Sequence, residues 1–240
     1  MDFLVFKIHG DYAHFKKYYT TTSPLTFDFP PRTVVTGILG AIAGLGKSKN
    51  DETYYLNYFK KSDARIGIKI NSKIERTILA INYLKTAERK GFRGMAQRKQ
   101  IRVEVVKNPD YTIFFSHNDS SLYNTIRQNL EKKHSVYTPY FGSSEFIAAL
   151  DFITEVKNIK PESASNFILV NSILDCRFIN NKNIQFEDNR EYMKANVPNE
   201  MVEDRIVTEY IEVLYERQGC GISCIPPEYY KVQKDNIVLL

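Results

Sequence analysis

Pro30-Pro31-Arg32-Thr33-Val34-Val35-Thr36-Gly37-Ile38-Leu39-Gly40-Ala41-Ile42-Ala43-Gly44-Leu45-Gly46 decides how the chain is read. Val34, Val35, Ile38, Leu39, Ile42 and Leu45 recur at three- and four-residue spacing, which places them on one face of a helix. Pro31 suits a helix start, because the first N–H groups of a helix have no partner inside it. Gly37, Gly40 and Gly44 each weaken a helix by about 1 kcal/mol relative to Ala. Three of them in one helix imply close approach of a sheet or of a ligand backbone.

Around this helix the pattern alternates between strand and helix. Phe3–His9 reads as a first strand, and residues 10–24 as a polar, Tyr-rich loop. Residues 51–61 read as a second, shorter helix. Ala64–Asn71 puts Ile66, Ile68 and Ile70 on one side of a strand. Residues 74–84 and 101–107 have strand character and flank a basic segment containing Gly91 and Gly94, so they read as a long hairpin with a positive tip. Tyr111–Phe115 is a further strand. Asp119 is placed to cap a helix running to about Lys133, with Leu122, Ile126 and Leu130 four apart. Beyond Phe146 the chain reads as mostly short β segments with turns such as Asn180-Asn181 and Pro226-Pro227. The expected class is α+β: a ferredoxin-like (RRM-like) domain over residues 1–155, a protruding hairpin at about 74–107, and a small β-rich region over 156–240.

Composition agrees with a chain that buries a core. Of 240 residues, 43% are hydrophobic, 13% aromatic and 25% charged. The longest uncharged stretch, Thr33–Gly46, is 14 residues, short of the roughly 20 that a bilayer span needs. Asp2 and Lys7 interrupt the N-terminal segment, which does not read as a signal peptide. Cys176, Cys220 and Cys224 are an odd count and read as reduced thiols of a cytosolic protein.

The net charge of +5 is unevenly spread. Arg65–Lys107 holds 12 basic residues against Glu75, Glu88 and Glu104, and so carries +9 while the rest of the chain carries −4. Lys85, Arg89, Lys90, Arg93, Arg98, Lys99 and Arg102 cluster at the hairpin tip with Glu88 as the one acid. Residues 187–216 hold nine acids against Arg190, Lys194 and Arg205. A polarity of this kind points to a polyanionic partner on one side. Cations beside Tyr83, Phe92 and Tyr111 supply phosphate contacts and stacking rings, the chemistry of single-stranded RNA recognition.

Other motifs are weaker. Gly46-Lys47-Ser48 resembles the end of a phosphate-binding loop, but position 41 is Ala where that motif needs Gly, and the segment closes a helix rather than opening one. Cys220 and Cys224 lack the further ligands that structural zinc needs, so no metal site is expected. His14, beside Tyr12, Lys16 and Lys17, and His117 are the candidates for a metal-free acid–base site; without one the chain is a binding protein.

Four segments carry a resemblance to a known family: residues 10–15 (Gly-Asp-Tyr-Ala-His-Phe), residues 22–26 (Thr-Ser-Pro-Leu-Thr), residues 30–44 of the stretch quoted above, and Pro139-Tyr140-Phe141-Gly142-Ser143-Ser144-Glu145-Phe146. Their order and content resemble the CRISPR-associated RAMP-superfamily subunit of type I Cascade that binds the crRNA 5′ handle, the fifth Cas protein family, in a type I-B-like form. The resemblance implies a ferredoxin-like fold with a hairpin thumb. It implies a subunit that grips the repeat-derived handle, caps the backbone filament, contacts the backbone and large subunits and meets target DNA indirectly. It implies a cytoplasmic location and no cofactor. Carried onto this chain, Lys85–Arg102 is the thumb tip, Tyr140, Gly142, Ser143 and Ser144 face the handle, and Tyr12 and Arg32 lie on the RNA side, with Arg32 meeting phosphate. One branch, in type I-C systems, cleaves pre-crRNA with a Tyr and a Lys-His pair after a strand. Here the comparable place reads Ser116-His117, without the Lys, so a non-catalytic subunit is expected, with the metal-independent endoribonuclease as the alternative.

Overall fold

The computed structural model describes residues 1–20, 24–46, 50, 54–84, 98–179 and 181–240. The chain is a mixed α and β protein with two α-helices among the described residues and many antiparallel strands, as the expected combination of helices and strands requires. The principal strands are β1 (Phe3–His9), β2 (Ala64–Ile70), β3 (Glu75–Leu84), β4 (Arg98–Lys107), β5 (Asp110–His117), β6 (Ala149–Val156), β7 (Tyr192–Met201), β8 (Val207–Glu216), β9 (Tyr229–Val232) and β10 (Asp235–Ile237). The helices are α1 (Arg32–Ala43) and α2 (Ser120–Glu131).

β1, β2, β5 and β6 form one antiparallel sheet in the order β2-β5-β1-β6. Alternation along β1 sends Leu4, Phe6 and Ile8 to one face, where they meet Val35, Ile38, Leu39 and Ile42 of α1 and Leu122, Ile126 and Leu130 of α2. The opposite face is also covered. Phe3, Val5 and Phe114 are packed beneath Tyr230, Val232 and Ile237 of the β9–β10 hairpin, and Lys69 reaches Asp235 at 2.7 Å. One core cluster runs from Leu4 to Leu240 and includes Val197, Ile211, Val213 and Tyr215, so it crosses position 155.

The helix boundaries follow their local chemistry. Pro31 precedes α1, and Gly44 ends it in the left-handed region at φ 77°, its N–H bonded to the Gly40 carbonyl. The Asp119 side chain accepts from the Ser121 and Leu122 amides and caps α2.

One expectation is corrected. Within residues 51–61 the described part is not a helix but a 3-10 turn at Tyr55–Asn57. The Tyr55 amide bonds the Gly46 carbonyl, outside the segment, and a separate turn follows in which the Asp63 and Ala64 amides bond the Lys60 carbonyl. Most strands beyond Phe146 are short, as expected. β7 and β8 are ten residues each and pair as a long hairpin. Its register shifts around Pro198 and Glu200, because proline has no N–H to offer the ladder. No helix among the described residues is long and apolar enough to cross a membrane.

Candidate nucleic-acid interface

β3 and β4 pair without a register break from Glu75↔Lys107 to Leu84↔Arg98. Arg98, Lys99 and Arg102 are exposed on β4. Lys85, Arg89, Lys90 and Arg93 lie outside the described residues. At its base the hairpin is held by a buried acid: Asp28 receives Arg76 Nε at 2.5 Å and Tyr215 Oη at 2.7 Å.

The loop after α2 brings its residues onto α1 and onto this hairpin. The Tyr137 amide bonds the Ala41 carbonyl at 3.0 Å, and the His14 amide bonds the Phe141 carbonyl at 3.1 Å. The Phe141 amide bonds the Phe146 carbonyl, which closes the loop on itself. Tyr140 and Gly142 then line a pocket of about 250 Å³ together with Gly37 and Gly40 of α1, Tyr55, and Met201 and Arg205 from the β7–β8 turn. The two motif segments, about 100 residues apart in sequence, therefore share one pocket. Gly40 is filled by the chain itself, since a Cβ there would press on Tyr55 at 3.0 Å; at Gly37 a Cβ would meet no protein atom within 4 Å. The open surface at Gly37 admits close approach by a ligand. Tyr55 is mostly buried, which raises its hydroxyl pKa, while the Arg205 charge pulls the other way.

The other residues singled out by sequence divide. Ser143 is half-exposed and its hydroxyl donates to Glu145; the loop is tied to the hairpin through His14, whose amide bonds the Phe141 carbonyl and whose ring bonds the Glu104 carbonyl of β4. Ser144 is exposed. Tyr12 is half-buried, pairs with Lys107 and packs edge-on against Phe146 at 6.4 Å. Gly142 sits at φ 79°, where a Cβ would collide with the His14 carbonyl oxygen; its glycine is required by the protein's own backbone.

Arg32 is a correction. It is 2% exposed and faces inward. Nη1 donates to the Asn199 carbonyl at 3.1 Å, and Nη2 donates to Phe59 and Ala64 carbonyls at 3.1 and 3.0 Å. Burial lowers its pKa to about 10, with Glu200 and Glu209 opposing. It clamps α1, β2 and β7 together, because the converging carbonyls replace the water its guanidinium would lose.

The two candidate histidines are both engaged. His14 is 8% exposed with Nδ1 2.7 Å from the Glu104 carbonyl, and burial lowers its pKa. His117 accepts at Nδ1 from the Asp119 amide and donates from Nε2 to the Tyr58 carbonyl at 2.8 Å. No cluster of three metal-ligating side chains occurs among the described residues, and Cys176, Cys220 and Cys224 are free thiols. Sequence reading missed Tyr55, Met201 and Arg205 as pocket residues. Arg205 was visible only as one of three cations in an acidic stretch.

Residues 3–212 match the family described as CRISPR-associated protein (Cas_Cas5). A solved structure of a CRISPR protein from Archaeoglobus fulgidus is similar over 99% of this chain and 98% of that one, at 14% identity and a TM-score of 0.58. A chain from a CRISPR RNA-guided surveillance complex is similar over 93% of this chain and 91% of that one, at 9% identity and a TM-score of 0.54. At these identities the likeness is one of fold. No curated protein matches the chain.

Proposed function

The chain belongs to the CRISPR-associated protein (Cas_Cas5) family, and from that membership we propose that it is a non-catalytic subunit of a CRISPR RNA-guided surveillance complex that grips the repeat-derived 5′ handle of crRNA. The observation that carries this reading is the shared pocket. Tyr140 and Gly142 line it together with Gly37, and the Phe141 carbonyl between them is bonded to His14, whose ring is bonded to the Glu104 carbonyl of the basic hairpin. A handle seated against Gly37 has hairpin cations at hand for its phosphates. Gly37 gives the sugar-phosphate path room to approach, and Tyr55 and Tyr140 offer rings to unpaired bases.

The strand order β2-β5-β1-β6 with two helices on one face supports reading the first half as a ferredoxin-like, RRM-like unit. The β3–β4 hairpin is then the thumb. RRM units stack RNA on the sheet, but that face is here covered by Tyr230, Val232 and Ile237, so RNA is assigned to the helix side and the thumb. Partners are the backbone subunit, whose filament this chain caps, and the large subunit; target DNA is met indirectly, in the cytoplasm. The occupied ring nitrogens of His117 and the burial of His14 support a binding role over cleavage.

The test is gentle purification of the tagged chain from its host, with sequencing of the RNA that accompanies it. Short RNAs sharing one repeat-derived 5′ end, together with a filament-forming subunit, are expected. A random RNA population with no partners would overturn the reading. Unprocessed repeat RNA incubated with the purified chain is expected to stay intact; defined 5′-hydroxyl products would replace the binding role with the endoribonuclease.

A further inference from the structure

Three tyrosine rings from two distant parts of the chain meet on the surface. Tyr18 is 54% exposed, Tyr19 60% and Tyr210 39%. Tyr18 packs on Tyr19 with centroids 5.1 Å apart and on Tyr210 at 4.8 Å. Exposed aromatic rings clustered in this way offer a contact surface to a partner with flat or apolar groups. The cluster belongs neither to the core nor to the pocket lined by Tyr140.

Its surroundings fit a polyanion that carries flat bases. Lys16 is exposed, and the Lys17 ammonium lies 5.7 Å from the centre of the Phe27 ring, two and one residues before Tyr18. Glu104 and Glu209, two of the acids of this region, already have partners. Glu104 binds Arg76 and the Thr26 amide, and Glu209 binds Lys61, Arg177 and Asn199. The same loop is fastened to the basic hairpin, since the Pro24 carbonyl accepts from the Glu104 amide of β4 at 3.0 Å. Tyr210 stands on β8, which begins at Val207, and the pocket's Arg205 lies in the turn that leads into this strand.

We propose that Tyr18, Tyr19 and Tyr210, flanked by Lys16 and Lys17, form a second, sequence-tolerant stacking platform for unpaired bases of single-stranded RNA. This rests on reading the chain as an RNA-binding subunit and adds a site to it. The rings supply π-faces that accept any base, and the lysines supply the phosphate attraction.

The test uses the full chain and two fluorescein-labelled probes, a short oligoadenylate and an abasic ribose-phosphate strand of equal length. Tyr18→Ala with Tyr210→Ala is expected to weaken oligoadenylate binding by about 10- to 100-fold. It is expected to leave abasic binding and the salt dependence unchanged. Tyr210→Phe, which keeps the ring, is expected to bind as the parent does. Equal loss with both probes would overturn stacking. Unaltered oligoadenylate binding, while Ala at Arg98, Lys99 and Arg102 abolishes it, would remove the platform and leave the RNA-binding reading standing. Unaltered RNA binding with loss of co-purifying subunits would reassign the patch to a protein partner. A parent chain that binds neither probe would remove both readings.

Discussion

Arg76 donates from Nε to the carboxylate of Asp28 at 2.5 Å, and Asp28 is 1% exposed. This pair joins the segment leading into α1 to the root of the β3–β4 hairpin. Tyr215 donates to the second carboxylate oxygen at 2.7 Å, and the Tyr111 hydroxyl donates to the Asp28 carbonyl at 2.6 Å. Removing one member of a buried pair strands the other, at a cost of about 3–5 kcal/mol. Asp28→Ala is therefore expected to lower the unfolding free energy by about that amount in urea titrations. A loss under 1 kcal/mol would mean that water replaces the carboxylate at no cost.

Arg32 tests whether a cation at the start of a helix serves RNA or the fold. Its three carbonyl contacts make it a clamp. Lysine carries the charge but not the planar fork, so it leaves buried carbonyls without donors. Arg32→Lys is expected to cost at least about 2 kcal/mol of stability. The salt dependence of RNA binding should stay as in the parent. A shallower dependence at unchanged stability would return Arg32 to phosphate contact.

Gly142 and Tyr140 are neighbours with opposite expected behaviour. Gly142 holds a left-handed backbone against the His14 carbonyl, so Gly142→Ala is expected to destabilise by about 1–3 kcal/mol. Tyr140 lines the pocket without such constraint. Tyr140→Ala is expected to keep the thermal midpoint within a few degrees while weakening handle RNA by about tenfold, one stacked base. Loss of stability in Tyr140→Ala with unchanged affinity would reverse the two assignments.

What the sequence makes legible is local. α1 is marked by Pro31, by apolar spacing and by Gly44, and α2 by Asp119, because caps and periodicity act within a few residues. β3 and β4 are legible as a basic hairpin from apolar strands around a charged tip. Arg32 is not, because its partners Phe59, Ala64 and Asn199 lie 27 to 167 residues away and are backbone carbonyls that leave no trace in side-chain pattern. The β7–β8 hairpin is hidden by Pro198 and by acids on both strands, which dilute alternation. Tyr55, Met201 and Arg205 join the pocket only through that hairpin and the turn after α1.

His14 gives a pH dependence with a definite sign. Burial lowers its pKa below the ordinary 6.5, only partly offset by the Glu104 carbonyl. The unfolded chain thus takes the proton more readily than the folded one. The contribution is complete above about pH 6.5 and is lost as pH falls below it, at no more than about 1.4 kcal/mol per pH unit. Urea midpoints measured from pH 7.5 to 5.5 are expected to fall more steeply for the parent than for His14→Gln. Parallel curves would show that His14 takes up its proton equally in both states.

The exposed cations of β4 give the most direct check on the side of the molecule assigned to RNA. Arg98, Lys99 and Arg102 share one strand of the hairpin. Each phosphate contact on a single strand contributes about 0.7 to the slope of log K against log salt. Single Ala substitutions are each expected to flatten the slope by about that amount, and the triple variant by about 2. Because all three side chains are exposed, stability should change by less than about 0.5 kcal/mol, so weaker binding is not explained by unfolding. An unchanged slope in the triple variant would mean that these cations do not touch phosphate, and the handle would then be held by the pocket alone.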